Sequence, residues 1–299
     1  MSSTEPGLLY VSTGCMSNGP LAMFLEECAD RNIRNIELSS GVPYEAGIIQ
    51  TIEKNRRQFK YLIHNYFPPP LDPFVLNLAA ADETCLIRSQ ELCRRAIDLC
   101  AEFGAPFYSV HAGFRAAIKP ESLGKFLKYD EIIPYDRAFA TFVDSIKSLV
   151  AYARRQKIEL LIEPNVVAEC NMINGRNELM LICEADEVIK LADCVNDPGF
   201  GILLDTGHLN VSSKTLGFSR ERFVEKTAPY VKAYHIHDND GYADTHQPVK
   251  PDSWIFGVLP KPIFRKLPVI IEAKFGNIDD LEKHIEWLKG YLRNDCSNG

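Results

Sequence analysis

The sequence predicts an α/β protein, a (β/α)8 TIM barrel that forms a single domain over residues 1–299. Short strand-like segments alternate with helical patterns from end to end, and several strands are continuous apolar runs, as parallel strands covered by helices require. No shift in composition and no linker rich in Pro, Gly or Ser divides the chain. An open doubly wound sheet is the alternative, but residues 11–15 read VSTGC and lack its Gly-x-Gly-x-x-Gly turn.

Hydrophobic periodicity places the elements in order along the chain. The helix after the third strand is the clearest, because apolar side chains recur at three- and four-residue steps from Leu92 to Phe103, and Gly104 supplies a stop. The closing helix begins around Asp279 and carries Leu281 on its apolar face. Loops of about twenty residues or more follow the fourth and fifth strands, and loops of this length usually shape a site. Strands are expected near residues 8–12, 34–38, 60–64, 107–111, 158–163, 201–205, 231–237 and 268–272.

Charge and cysteine usage narrow the classes of partner. The formal net charge is −7 at pH 7, which disfavours a nucleic-acid partner without excluding one, because phosphate binding usually requires a basic stripe. The nine cysteines include no Cys-x-x-Cys pair, which favours reduced thiols over cysteine zinc ligands. The first residues lack a signal sequence and no run reaches the length of a membrane span. We expect a cytoplasmic protein with no membrane partner, and the sequence leaves open a homo-oligomer.

From the third strand onward, every predicted strand ends in a histidine or an acid, or has one just beyond it. An imidazole or carboxylate there costs free energy if it lacks a partner, and the repetition from strand to strand indicates one shared partner. Barrel enzymes carry their chemistry at the carboxyl ends of the strands, and nitrogen and oxygen ligands in this mixture suit divalent metal ions. The candidate residues are His64, His111, Glu163, Asp205, His208, His235, His237, Asp244, His246 and Glu272.

Purely structural roles are the competing interpretation of these residues. A packed role is expected for His284, which lies mid-helix among apolar neighbours. The six strand-end histidines would instead need six separate buried hydrogen-bonding solutions. Glu163 and Glu272 could form buried salt bridges with Arg176 or Lys274, but their own strands contain no basic residue. The metal interpretation is therefore favoured.

Seven short motifs follow one another in a fixed order between residues 60 and 273. They are His64-Asn-Tyr66, His111-Ala-Gly113, Glu163-Pro-Asn165, Asp205-Thr-Gly-His208, His237-Asp-Asn-Asp240, Asp244-Thr-His246 and the strand-eight Glu272. Their order resembles that of the xylose isomerase-like TIM-barrel superfamily, which includes sugar and sugar-phosphate isomerases and epimerases as well as endonuclease IV-like DNA repair enzymes. Many members continue the Asp-x-His motif with Gly-x-Gly, whereas residues 246–257 read HQPVKPDSWIFG. This departure leaves the role of His246 open.

The resemblance implies two alternative sets of metal ligands. In an isomerase or epimerase, a single Mn2+, Co2+ or Mg2+ would be held by four residues, one each from strands five to eight. His235 and His237 both point inward from strand seven, and the spacing to Asn239-Asp240 favours His237 as the ligand. The mononuclear set is Glu163, Asp205, His237 and Glu272; a multinuclear Zn2+ site would add His64, His111, His208, Asp244 and His246.

The expected function is a metal-dependent isomerase or epimerase of a small sugar or sugar phosphate, acting by proton transfer next to a polarised carbonyl. Glu163 and Glu272, with His208, are the expected catalytic residues. The alternative is an endonuclease IV-like, multinuclear zinc phosphodiester hydrolase. A metal-free binding protein would leave the ligand set without a role. The residues expected to contact the small carbohydrate are His64, His111, His235 and His246.

Overall fold

The apolar runs of the sequence become eight parallel strands, which close into a barrel in the part of the chain that the structure describes. This computed structural model describes residues 9–16, 19–259 and 266–293, so residue 8 of the first predicted strand lies outside it. The predicted fold class is confirmed. The barrel strands are β1 (Leu9–Ser12), β2 (Asn35–Leu38), β3 (Lys60–His64), β4 (Phe107–His111), β5 (Glu159–Glu163), β6 (Phe200–Asp205), β7 (Val231–Ile236) and β8 (Val269–Ile271).

Each strand pairs in parallel with the next, and β8 pairs with β1 through Ile270 and Tyr10 to close the barrel. Both faces of the strands are covered: Leu161 and Ile162, successive residues of β5 that point to opposite faces, are fully buried. This burial explains why the strands read as unbroken apolar runs. Because all eight strands run the same way, their carboxyl ends meet at one mouth of the barrel.

Helices cover the outside of the barrel. The helix predicted after the third strand extends further toward its amino terminus than the periodicity indicated, because Asp82 caps it by accepting a hydrogen bond from the backbone N–H of Cys85 at 2.7 Å. It ends at Gly104, which has φ 75° as a left-handed C-cap. The helices are α1 (Leu21–Asp30), α2 (Ile48–Asn55), α3 (Glu83–Phe103), α4 (Tyr135–Arg155), α5 (Ala185–Val195), α6 (Thr206–Leu216), α7 (Arg220–Thr227), α8 (Ile255–Val258) and α9 (Ile278–Arg293).

The long segment after β4 contains a two-stranded antiparallel hairpin that the sequence pattern did not indicate. Ala116–Ile118 pairs with Tyr129–Ile132. Its buried side chains pack with Val167 and Leu179 from the long loop after β5, forming a small second core beside the barrel mouth. In the described residues, no helix is long and apolar enough to cross a membrane.

Candidate active site

The fold brings the predicted site residues together because they end neighbouring parallel strands. His111 lies directly opposite Glu163 in the register of β4 and β5, and Asp205 lies opposite His235 in the register of β6 and β7. Parallel strands place such cross-strand neighbours side by side, so Glu163 and Asp205 each lie next to an imidazole. Apart from loop residues such as His246, the clustering follows from the strand register.

A first group joins the ends of β3, β4 and β5. His64 Nε2 lies 3.2 Å from Glu163 Oε2, and His111 Nε2 lies 3.5 Å from the same oxygen. The other ring nitrogen of His64, Nδ1, lies 3.0 Å from the hydroxyl of Ser109, which fixes the orientation of the ring. One nitrogen or oxygen from each of His64, His111 and Glu163 falls within 4.8 Å of the others.

A second group shares Glu163 with the first and lies deeper in the barrel. His235 Nδ1 lies 3.7 Å from Glu163 Oε1, 3.6 Å from Asp205 Oδ2 and 3.0 Å from Glu272 Oε2. Ligand atoms of all four residues fall within 4.8 Å of one another. Three carboxylates and one imidazole around a single point are an arrangement that a divalent cation would stabilise.

A third group forms where β7 gives way to the loop that follows it. His237 Nδ1 lies 3.7 Å from Asp244 Oδ1, and His246 Nε2 lies 3.1 Å from Asp244 Oδ2. The rings of His237 and His246 stack with centroids 4.2 Å apart. His208 links this group to the others, because its ring nitrogens lie 3.1 Å from Glu163 Oε1 and 3.4 Å from Asp244 Oδ2.

Several buried polar atoms at the centre of these groups make no hydrogen bond. They are both carboxylate oxygens of Glu163, Nδ1 of His235 and Nδ1 of His237. The close contacts of Glu163 with imidazoles are ion-pair contacts that miss the hydrogen-bonding directions. Buried polar atoms without partners cost free energy, and a metal ion between them would remove that cost. The donor set therefore fits one or more divalent ions such as Mn2+ or Zn2+.

The acids of the cluster are held in their ionised form. Burial alone would raise the pKa of Glu163, but His111, His235 and the other surrounding imidazoles outweigh it and lower that pKa well below its ordinary value. Burial likewise acts to raise the pKa of Asp244, and its hydrogen bond with His208 is the leading cause that lowers it instead. Both carboxylates therefore keep their negative charge at neutral pH and are available to a cation.

The imidazoles respond to burial in two ways. Desolvation dominates at His111 and lowers its pKa to about 4, so this ring stays neutral and keeps a lone pair. At His237 burial also acts to lower the pKa, but Asp205 overrides it and raises the pKa to about 9. Without a cation, His237 is therefore positively charged at neutral pH, and a bound ion would displace that proton.

The strand-seven residue among the three carboxylates is His235, whereas motif spacing had favoured His237. His235 lies within β7, in register with Asp205 on one side and Ile270 on the other. His237 lies one residue beyond the end of the strand, where the chain turns toward the third group. His237 belongs to the third group, but its Nε2 also lies 3.0 Å from Asp205 Oδ2, so the two histidines share this acid of the second group. The metal roles of both histidines stay predictions.

Glu37 is a member of the cluster that the sequence reasoning missed. It lies on β2, is fully buried, and its Oε2 lies 2.9 Å from Nε2 of His235. Its signal in the sequence was an acid between the apolar Ile36 and Leu38 in the predicted strand 34–38. Glu37 lies one residue before the end of β2, so it lacks the strand-end position that marks the other acids.

The salt bridges offered as a structural role for Glu163 and Glu272 are not formed in the described residues. The ion-pair contacts of Glu163 and Glu272 there are all with histidines, and neither acid contacts Arg176 or Lys274. His284 lies on α9, away from the three groups, and packs between Phe275 and Trp287 with ring centroids 5.3 Å away in each case.

Comparison with known families identifies the fold family of the chain. The family model described as xylose isomerase-like TIM barrel matches residues 25–291. The chain belongs to this family.

Relatives of this xylose isomerase-like protein include an epimerase and a probable endonuclease. A fructoselysine 3-epimerase of Shigella flexneri is 20% identical over 233 residues, which cover 76% of this chain and 74% of that protein. A probable endonuclease 4 of Thermoplasma acidophilum is 25% identical over 215 residues, covering 68% of this chain and 66% of that protein. A solved D-tagatose 3-epimerase-like protein superposes with a TM-score of 0.71 at 21% identity, covering 95% of this chain and 97% of its own. At this identity the structural likeness shows the shared fold.

A cavity opens beside the second and third groups of this family member. Its volume is about 500 Å³, and it reaches Glu272 and His246. The loops after β1 and β2 form one wall, where Gly41 packs so closely that an added Cβ would lie 3.2 Å from the Cα of Gly14. Lys274 and Phe275, on the other wall, are shared with a second, more open groove of about 580 Å³. The cavity is large enough for a small organic molecule in contact with the cluster.

Proposed function

We propose that this protein is a metal-dependent isomerase or epimerase of a small carbohydrate, built on one barrel domain spanning residues 1–299. The observation that carries the proposal is the arrangement of Glu163 and Glu272. Each contributes an oxygen to the same group of ligand atoms, all within 4.8 Å of one another, and Glu272 also borders the cavity. A carboxylate that borders the cavity, beside a second one that would share the cation, suits proton transfer at a sugar carbon with Glu272 as the base. Relatives named as sugar epimerases support this choice.

The residues that would hold the cation are Glu163, Asp205, Glu272 and a strand-seven histidine. The geometry favours His235 for this position over His237, because His235 Nδ1 faces all three carboxylates. When bound, a divalent ion such as Mn2+, Co2+ or Mg2+ polarises a carbonyl and the adjacent hydroxyl, which acidifies the carbon between them.

The two glutamates differ in their access to a substrate. The Glu272 side chain is 15% exposed and opens onto the cavity, so its carboxylate can approach a sugar carbon and remove a proton. The Glu163 side chain is 0% exposed, and its negative charge balances the surrounding imidazoles. His208 contacts both Glu163 and Asp244 and is placed to pass a proton between them. His246, which borders the cavity, would orient a hydroxyl group of the substrate, and the substrate contacts expected of His64 and His111 stay predictions.

The test is proton exchange in D2O. The metal-loaded protein is incubated with a panel of ketoses, aldoses and their phosphates, and deuterium at the carbon next to the carbonyl is measured by NMR. We expect incorporation with at least one sugar and its loss in Glu272→Gln. Absence of exchange across the panel, with metal content verified, contradicts the proposal.

A second candidate function is phosphodiester hydrolysis by a multinuclear zinc site. The observation that favours it is that Glu163 belongs to two groups of ligand atoms while His237, Asp244 and His246 form a third. Metal ions at all three groups would activate water and neutralise phosphate. The relative named as a probable endonuclease 4 supports this candidate. Cleavage of an abasic-site oligonucleotide by the zinc-loaded protein, with no sugar exchange, would replace the first proposal with this one.

A further inference from the structure

Glu37 makes a contact that crosses the interior of the barrel. It belongs to β2, whose strand neighbours are β1 and β3, whereas its partner His235 belongs to β7. Glu37 Oε2 lies 2.9 Å from His235 Nε2, and both residues are fully buried. The contact joins residues 198 positions apart in the sequence. The carboxylate thus reaches the ring of His235 from the side opposite to the three acids of the second group.

The orientation of His235 differs from that of two other histidines in the cluster. Nδ1 of His208 lies 3.0 Å from the main-chain carbonyl oxygen of Pro164, and Nδ1 of His246 lies 3.1 Å from that of Glu272. Because a carbonyl oxygen only accepts, these rings carry their proton on Nδ1 and leave Nε2 to face Asp244, and Nδ1 of His208 also lies 3.1 Å from Glu163 Oε1. His235 is reversed. Its Nε2–H points at Glu37, and its Nδ1 faces Glu163, Asp205 and Glu272.

The partner of His235 also differs in charge. A carbonyl or hydroxyl oxygen is a neutral acceptor, whereas Glu37 offers a carboxylate. A carboxylate that accepts the far N–H of an imidazole fixes the tautomer and orientation of the ring and increases the basicity of the other nitrogen. This increases the affinity of that nitrogen for a divalent cation.

A packing role alone does not account for Glu37. Its Oε1 is buried and makes no hydrogen bond. A buried carboxylate with an unpartnered oxygen costs free energy that a leucine of similar volume would avoid. The residue therefore has a destabilising feature that its contact with His235 offsets only in part.

We propose that Glu37 is a positioning residue: it holds His235 as the Nε2–H tautomer and directs a strengthened Nδ1 ligand at the cation between Glu163, Asp205 and Glu272. This inference rests on the metal site of the proposed function but not on the reaction catalysed there. Glu37 acts through His235 and has no contact with the substrate cavity, since it is absent from the cavity wall.

The experiment measures zinc affinity and the tautomer of His235 in the full-length protein. Zn2+ affinity is determined by competition with a chelator, and 15N NMR of the zinc-loaded protein reports which ring nitrogen of His235 carries the proton. Glu37→Gln keeps the volume and an acceptor oxygen but removes the charge. We expect affinity to fall about 10–100-fold while the Nε2–H tautomer persists. Glu37→Leu, which also removes the acceptor, should lower affinity at least as far and leave the ring free to turn, so that part of the protein binds zinc through Nε2 and carries the proton on Nδ1.

Two controls separate this role from general damage to the barrel interior. Ser12→Ala alters a buried polar residue of β1 whose hydroxyl lies 3.0 Å from that of Ser39, outside the three groups, and should leave zinc affinity unchanged. If Glu37→Gln does not fold, Glu37→Asp, which keeps the charge, decides: retention of at least part of the affinity supports the proposal, and complete loss contradicts it.

Wild-type zinc affinity in folded Glu37→Gln and Glu37→Leu would overturn the proposal. So would the loss of a whole equivalent of zinc with an unchanged tautomer, since Glu37, His64 and His235 also offer ligand atoms within 4.8 Å of one another and Glu37 would then be a ligand itself. Failure of the proposed function looks different. In that case the wild type binds metal and depends on Glu37 for affinity, yet exchanges no sugar proton.

Discussion

His246 is fixed to the backbone of Glu272 by its side chain: its Nδ1–H donates to the main-chain carbonyl of Glu272 at 3.1 Å. The backbone of His246 has φ 49°, a left-handed conformation that residues other than glycine rarely adopt. The N–H of Lys274 donates to the carbonyl of His246 at 2.8 Å and holds that conformation. The loop after β7 is thus attached to the loop after β8, and His246 Nε2 is directed at Asp244. Strain at such a position is typical of a functional site.

The first prediction concerns the number of metal ions. If the third group holds an ion, as the second candidate function requires, His246→Ala lowers the zinc content of zinc-loaded protein by about one ion per chain, because that group loses one of its ligands. Elemental analysis of the purified protein gives the count. His284→Ala, on α9 and outside the three groups, is the matched control and should keep the wild-type value. Equal zinc content in His246→Ala and wild type would contradict an ion at the third group and favour a mononuclear site.

The second prediction concerns Glu272. Glu272→Gln should reduce sugar proton exchange by about 10²–10⁴-fold, because the amide keeps the volume but loses the basic oxygen. The fold should persist, since the change removes one of several negative charges crowded around His235. Circular dichroism and thermal unfolding check the fold, and deuterium incorporation checks the reaction. Near-native exchange with full metal content would show that Glu272 takes no part in the reaction.

The barrel could be predicted from the sequence because its strands are short, apolar and separated by helical periodicity. The predicted segments 60–64 and 107–111 coincide with β3 and β4. The hairpin formed by Ala116–Ile118 and Tyr129–Ile132 could not be predicted in this way. It is stabilised by contacts with Val167 and Leu179 from a different loop, and periodicity within a segment does not report such contacts.

For the site, position at a strand end was the informative signal. It selected residues that the fold brings together, because parallel strands share one carboxyl edge. It could not separate His235 from His237, since both point inward. What distinguishes them is that β7 ends at Ile236, which leaves His235 inside the strand and His237 just beyond it. It also missed Glu37, whose partner lies across the barrel, because a contact over 198 positions leaves no local pattern in the sequence.

The third prediction concerns stability at acid pH. Burial lowers the pKa of His284 in the folded protein to about 4 from the ordinary 6.5, and its buried Nε2 makes no hydrogen bond. As the pH falls below 6.5, the unfolded chain takes up a proton that the folded chain refuses, so the free energy of unfolding decreases until the pH reaches about 4. The stability of the folded protein is therefore unaffected by the titration of His284 above pH 6.5. Between pH 6.5 and about 4, the free energy of unfolding falls by about 1.4 kcal/mol for each unit by which the pH decreases.

The measurement compares urea unfolding of the wild type and His284→Leu at several pH values between 7 and 4.5. The histidines of the metal cluster titrate in both proteins, so the difference between the two free energies isolates His284. We expect that difference to be constant near pH 7 and to shift in favour of His284→Leu as the pH falls. A difference that stays constant over the whole range would contradict a buried neutral imidazole.

The fourth prediction concerns substrate charge. Lys274 is exposed on the cavity wall, and the described residues provide no ion-pair partner for its amine. Two hydrogen bonds hold the backbone here. The N–H of Lys274 donates to the carbonyl of His246 at 2.8 Å, and the N–H of Phe275 donates to the carbonyl of Cys15 at 2.9 Å. Beyond it, the groove is bordered by Lys250 and by Lys283, whose amine lies 3.4 Å from Asp280 Oδ1. A sugar bound at Glu272 would therefore extend any anionic substituent, such as a phosphate, toward these amines.

We expect Lys274→Gln to raise the KM for a phosphorylated sugar by about 2–5-fold, the size of a partly exposed charge pair, with little change in kcat. The KM for the unphosphorylated sugar should stay the same, because it lacks the anionic group that Lys274 would contact. Lys147→Gln, on the exposed face of α4, is the control for loss of a positive charge elsewhere. Equal effects of Lys274→Gln on both sugars would show that the amine does not select an anionic substrate, and the neutral sugars would become the better candidates.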